Sequence, residues 1–158
     1  MLSESERHEI EAEVAESFDR RAAAIAALKI VQRHRGWVSD EALQDAAALL
    51  QMTPDELEGV ATFYSLIFRQ PVGKHVIKVC DSVSCWVMGG ESLLGHLQKR
   101  LQVTVGGTTS DGLFTLLPIA CLGHCDHAPA LMIDDTLVGN VTPELLDELL
   151  VNYRAAES

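Results

Sequence analysis

The chain has 158 residues, 47% of them hydrophobic and 22% charged, a globular balance that makes one large domain or two small ones. Acidic residues outnumber basic ones 23 to 12, and the net charge of −11 repels nucleic-acid phosphates and anionic lipid heads. Nucleic-acid binding is disfavoured, and the longest aliphatic run, Ala22 to Leu28, falls far short of the ~20 residues that a membrane span needs.

The start, Met1 to Glu6, is acidic and polar, unlike the basic start and apolar middle of an export signal. A cytoplasmic, reducing setting is therefore expected, in which four cysteines stay out of disulfides. Residues 3–16 carry six glutamates around Ile10 and Val14, which predicts a polar amphipathic helix or a loosely attached arm. Arg20 to Arg35 reads as one helix with Ala24, Leu28 and Val31 on a stripe, stopped at Gly36. Lys29, Arg33, His34 and Arg35 form the basic cluster of an acidic chain, most simply a solvated helix end. Ser39 opens a third helix through Leu50. Thr53-Pro54-Asp55-Glu56 then starts a fourth, with Thr53 as cap and Glu56 closing a capping box. Val60 to Tyr64 and Leu66 to Phe68 read as two further apolar turns, with Phe63, Tyr64 and Phe68 expected to pack that helix into its domain. Arg69-Gln70-Pro71-Val72-Gly73 breaks the pattern and marks a boundary.

Beyond it the elements alternate. His75 to Cys80 is a short β-branched run, and a helix runs from near Gly90 to Leu101. Leu113 to Ile119, Ala130 to Ile133 and Thr136 to Val138 read as strands, and Thr142-Pro143-Glu144 opens a last helix ending near Tyr153. This order predicts a small α/β sheet with helices packed on it. Gly89-Gly90 and Gly106-Gly107 suit tight turns; no phosphate-binding fingerprint follows any strand.

The cysteines carry the chemistry. Cys80 and Cys85 form C-x4-C, and Cys121 and Cys125 form C-x3-C, each pair in a loop after a predicted strand. Loops at the ends of neighbouring strands converge, so four thiolates can meet at one centre. A [2Fe–2S] cluster spreads its ligands over two irons and suits such loops. A structural zinc site would more often use tight C-x2-C knuckles, and disulfides need an oxidising compartment. Spacing alone favours the cluster over zinc and leaves both open.

Cys80-Asp81-Ser82-Val83-Ser84-Cys85, Cys121-Leu122-Gly123-His124-Cys125-Asp126 and Ala128-Pro129 resemble the thioredoxin-like [2Fe–2S] ferredoxin family. Glu58 to Ser65 together with Phe68, Pro71 and Gly73 is similar to the signature of one branch, the E subunits of bacterial NADH:quinone oxidoreductase, respiratory complex I. The resemblance runs from about Ala22 to the last helix. It implies an α+β or α/β chain: an N-terminal helical bundle over residues 1–71, then a thioredoxin-like domain over 72–158. It implies that Cys80, Cys85, Cys121 and Cys125 ligate one [2Fe–2S] cluster. It further implies a partner flavoprotein that binds NADH and FMN, the other peripheral-arm subunits, and a place on the cytoplasmic face of the inner membrane. No catalytic residue is expected on this chain, whose work would be one-electron exchange. Rival readings are the equivalent subunit of an NAD-linked hydrogenase or formate dehydrogenase, and a zinc-stapled adaptor.

Four cysteines already fill a two-iron site, so His124 and His127 are read as solvent-facing rather than ligating. Asp81 and Asp126, beside the ligands, should oppose electron uptake and hold the potential low. In thioredoxin-like folds a cis-proline often precedes the strand facing the active loop, which makes Ala128-Pro129 a candidate cis bond.

Overall fold

The computed structural model describes residues 1–156 and divides into two compact units, Met1–Pro71 and Val72–Ser158. The first is all helical: α1 (Glu4–Glu16), α2 (Ala24–Arg35), α3 (Asp40–Leu50) and α4 (Pro54–Phe63). Its core is aliphatic and alanine-rich, with Ile10, Leu28, Leu50 and Leu57 fully buried. Capping boxes fix the starts of α1 and α4, Ser3 pairing with Glu6 and Thr53 with Glu56. Gly36 ends α2 at φ +81°, a left-handed stop that a residue without Cβ adopts freely.

The helical unit departs from expectation in several places. Residues 3–16 are no loose arm, because Ile10 and Val14 are buried in the core. The expected helix from Arg20 begins instead as a 3-10 turn, Arg20–Ala23, capped by Asp19, and becomes α-helical at Ala24. The basic end of α2 is not merely solvated. Arg33 and His34 bind Glu9, and Arg35 grips Glu6 with two bonds of 2.6 and 2.7 Å. The glutamates of α1 thus meet the cations that close α2. Helix α4 stops at Phe63, and Leu66 to Phe68 is not helical. That segment is tied down by polar bonds: Gln32 donates to the Leu66 carbonyl (2.9 Å) and accepts from the Phe68 N–H (2.6 Å). Phe63 is 80% exposed and Tyr64 43%, the two rings meeting edge to face, so they do not pack α4 into its core.

The second unit holds β1 (His75–Cys80), α5 (Val83–Val87), α6 (Gly90–Leu101), β2 (Phe114–Ile119), β3 (Leu131–Ile133), β4 (Thr136–Val138) and α7 (Pro143–Ala155). The sheet order is β2-β1-β3-β4, with β1 parallel to β2 and antiparallel to β3. A parallel pair needs a crossover connection, and α6 lies within it. Ile77, Leu93, Leu97, Phe114, Leu116, Ile133 and Leu146 share one core. Asp147 links α7 to α6 through Arg100 (2.7 Å) and His96 (3.0 Å). Asp134 turns the β3–β4 hairpin at φ +52° and accepts from the Val76 N–H (2.9 Å). The peptide between Ala128 and Pro129 is cis, as the resemblance implied.

Glu6 is only 2% exposed, and its carboxyl is pulled down to about 2 from 4.5, chiefly by the Arg35 guanidinium. A carboxyl depressed on folding stabilises the fold above its ordinary value, and that contribution fades as pH falls toward the folded value. The window therefore runs from about pH 4.5 down to about 2, and the full effect is on the order of 3 kcal/mol. Arg35→Met should destabilise this unit more than Glu6→Gln, because it strands a buried charge at a cost of about 3–5 kcal/mol. Glu6→Gln should flatten acid destabilisation across that window. Hydrogen exchange of the α1 and α2 amides at several pH values reads both effects; an unchanged acid slope in Glu6→Gln would show that this pair does not set it.

Candidate metal centre

Cys80 ends β1, and its Cα pairs with Ile119, the last residue of the parallel strand β2. Both strands therefore release their chains at one end of the sheet. The Asp81 N–H donates to the Ile119 carbonyl (3.0 Å), and the Cys80 N–H to the Ala130 carbonyl (3.2 Å). Three segments meet there: the loop after β1, the loop after β2, and the cis-proline entry into β3. The carboxyl ends of strands are where open α/β sheets form binding crevices.

Sequence placed Cys85 in a loop, but it lies on the short helix α5. That turn, joined to Ser82 by the Trp86 N–H (2.9 Å), carries the chain back towards Cys80. The start of α6 packs directly behind it. A Cβ added at Gly90 would stand 2.8 Å from the Cys85 carbonyl oxygen, so only glycine fits without a shift.

The structure brings all four sequence-expected cysteines together. The four thiols influence one another electrostatically: Cys80 and Cys125 act on Cys85, and Cys80 and Cys125 act on Cys121. Cys80 and Cys85 are buried, backed by Ala128 and Ala130, whereas Cys121 and Cys125 are exposed. Their electrostatics differ accordingly. Burial pushes the Cys85 thiol up, against a hydrogen bond from the Ala130 backbone. The Cys121 thiol is held below its usual range, first by the Gly123 N–H, 3.3 Å from its Sγ, and further by Cys125 and the Ser82 hydroxyl. Gly123 sits at φ +72°, left-handed backbone that its lack of a Cβ makes accessible. Four soft sulfur donors with N–H and O–H groups directed at them fit an iron–sulfur cluster, whose potential such bonds tune.

Asp81 and Asp126 flank the sulfurs but are both exposed, so water screens their effect on an added electron. His124 and His127 are not simply solvent-facing. Their rings stack at 4.5 Å and 10°, and the carboxyl of Asp126, 2.9 Å from the His127 Nδ1, is held below its usual range mainly by that bond. Sequence reasoning missed a further feature. Val83, Trp86, Val87 and Met88 on and after α5 expose large apolar surfaces around the buried Cys85. Their signal was present as four apolar residues in a segment too short to bury them.

The family model described as thioredoxin-like [2Fe-2S] ferredoxin matches residues 10–154. The E subunit of the NADH-quinone oxidoreductase of Pseudomonas aeruginosa is 55% identical over 153 residues, covering 97% of this chain and 92% of that protein. Its namesake from Escherichia coli (strain K12) is 52% identical with the same coverage. Among solved structures, an NAD+-reducing [NiFe]-hydrogenase in the air-oxidised state superposes with a TM-score of 0.74 at 25% identity. The match covers 85% of this chain but only 23% of the hydrogenase chain. With four sulfurs gathered at one sheet end and the family pattern running through both units, the chain belongs to the thioredoxin-like [2Fe-2S] ferredoxin family, among the NADH-quinone oxidoreductase E subunits.

Proposed function

We propose that this chain is the electron-carrying E subunit of an NADH:quinone oxidoreductase, with Cys80, Cys85, Cys121 and Cys125 holding one [2Fe–2S] cluster. The observation that carries the reading is the convergence of those four thiols at the carboxyl end of β1 and β2. When bound, the cluster supplies one-electron exchange, while hydride chemistry belongs to the FMN of a partner flavoprotein. The chain's own residues do the rest. Ala128 and Ala130 back the buried pair, and Gly123, Ala130 and Ser82 direct donors at sulfur. Such bonds stabilise the more negative state and so favour electron uptake. The structural likeness to a hydrogenase supports the rival reading as its equivalent subunit, but identities of 52–55% to E subunits against 25% favour complex I.

We propose the exposed pair Cys121 and Cys125, with the exposed apolar side chains of α5, as the face that meets the flavoprotein. Trp86, 61% exposed, is its largest anchor. Among the described residues no helix is long and apolar enough to cross a membrane. The proposed place, which rests on the family resemblance, is the peripheral arm on the cytoplasmic face of the inner membrane, held there by other subunits.

In each single Cys→Ser variant the reduced-state EPR signal of the anaerobically purified chain should be lost or strongly altered. An unchanged signal removes that cysteine from the ligand set. We also propose residues 72–158 as the cluster domain, since all four thiols lie within it. A fragment starting at Val72 should still take up iron and sulfide; a fragment that never does would make the helical unit part of the cluster's support. Trp86→Ala should weaken co-purification with the flavoprotein, by about 2 kcal/mol for a central aromatic anchor, while leaving the EPR signal intact. Undiminished co-purification would place the interface elsewhere.

A further inference from the structure

Cys125 is bracketed by a second set of metal-type donors that the four-cysteine site does not use. Cys125–His127 forms a 3-10 turn, with the His127 N–H donating to the His124 carbonyl (3.1 Å) and the Asn140 N–H to the His127 carbonyl (2.6 Å). This backbone holds both imidazoles on one side, stacked 4.5 Å apart. Their Nδ1 atoms face the same carboxylate, that of Asp126, at 2.9 Å from His127 and 3.9 Å from His124. One ligand atom from each of the three residues lies within 4.8 Å of the others. Behind the rings, a Cβ at Gly139 would stand 2.7 Å from the His124 Nε2 and 2.5 Å from the His127 Cβ. Both histidines are therefore seated against bare backbone, which limits how far they can swing apart.

We propose that His124, Asp126 and His127 form a binding site for a divalent transition-metal ion of the zinc class, separate from the four cysteines. Two imidazole nitrogens, which are borderline donors, joined by one carboxylate oxygen suit Zn²⁺ and its neighbours, whereas Mg²⁺ and Ca²⁺ prefer oxygen alone. The Asp126 carboxylate is 74% exposed, so water can complete the coordination. Small rotations of the side chains suffice to bring the donors to bonding distance, because the backbone already places them on one side. The site stands whatever the cysteines hold. If they hold the proposed cluster, a dication beside Cys125 and an electron on that cluster favour each other, and the coupling is reciprocal.

The test is calorimetric titration of the anaerobically purified full chain with zinc sulfate, following visible absorption in parallel. Wild type should bind zinc with its absorption unchanged, and the double variant His124→Asn/His127→Asn should bind at least tenfold more weakly, as loss of even an outer-shell partner costs roughly 10–100-fold. His34→Asn, which alters a different histidine–carboxylate pair, should bind like wild type, and magnesium chloride should give no binding heat. Zinc binding that is undiminished in the double variant, or that proceeds with bleaching of the visible absorption, would place the ion on the cysteines or elsewhere and overturn the site. Absence of visible absorption before the titration sinks the cluster reading alone; zinc then fills the four cysteines first, and the second equivalent is the one compared between wild type and the double variant. Tighter zinc binding after dithionite reduction would support the coupling, and equal affinity in both states would overturn it.

Discussion

The parallel pairing of β1 with β2 is the constraint on which the site depends. Its register sets Cys80 opposite Ile119, so the loops bearing the two cysteine pairs leave the sheet side by side. A short helix returns Cys85, and a 3-10 turn presents Cys125. A slip of one residue in that pairing would turn alternate side chains to the opposite face and separate the sulfurs. The core of Ile77, Phe114, Leu116 and Ile133 opposes such a slip, because the same slip would expose it. Packing of the sheet and assembly of the site are one requirement.

The arrangement divides the sulfurs by environment. Cys80 and Cys85 lie against Ala128 and Ala130, away from water, while Cys121 and Cys125 are exposed. An electron carrier benefits from that asymmetry: one side is insulated, the other open to a partner. The helical unit uses charge differently. Its acidic first helix would repel itself as a free arm, but Glu6 and Glu9 are matched to the cations at the end of α2. The chain's large negative charge is thus partly organised rather than merely solvating.

Strong local signals made much of this legible from sequence. His75–Cys80 has the β-branched pattern of a buried strand, and Thr53 to Glu56 states a helix start in four residues. Each cysteine pair begins at the end of a strand, and such loops can converge when the strands are neighbours. What escaped the sequence was what depends on tertiary partners. Five residues from Val83 to Val87 are too few to show a helical period, so Cys85 read as loop. Phe63, Tyr64 and Phe68 sit at near-helical spacing, yet nothing in spacing distinguishes a ring turned inward from one left exposed, as Phe63 and Tyr64 are. Leu66 to Phe68 read as helix because their apolarity was visible and the bonds from Gln32 were not. The pairing of α1 with the basic end of α2 joins residues more than twenty positions apart, beyond any local pattern.

The central claim is that this chain by itself holds two irons and two sulfides on four cysteines. The most direct measurement is iron, zinc and acid-labile sulfide analysis of the anaerobically purified chain, joined to Mössbauer spectroscopy of ⁵⁷Fe-enriched protein. The account predicts two irons and two sulfides per chain, as the family's [2Fe-2S] designation requires, with a localised ferrous–ferric pair after one-electron reduction. Stoichiometric zinc without sulfide would contradict it and leave the four cysteines as a structural staple.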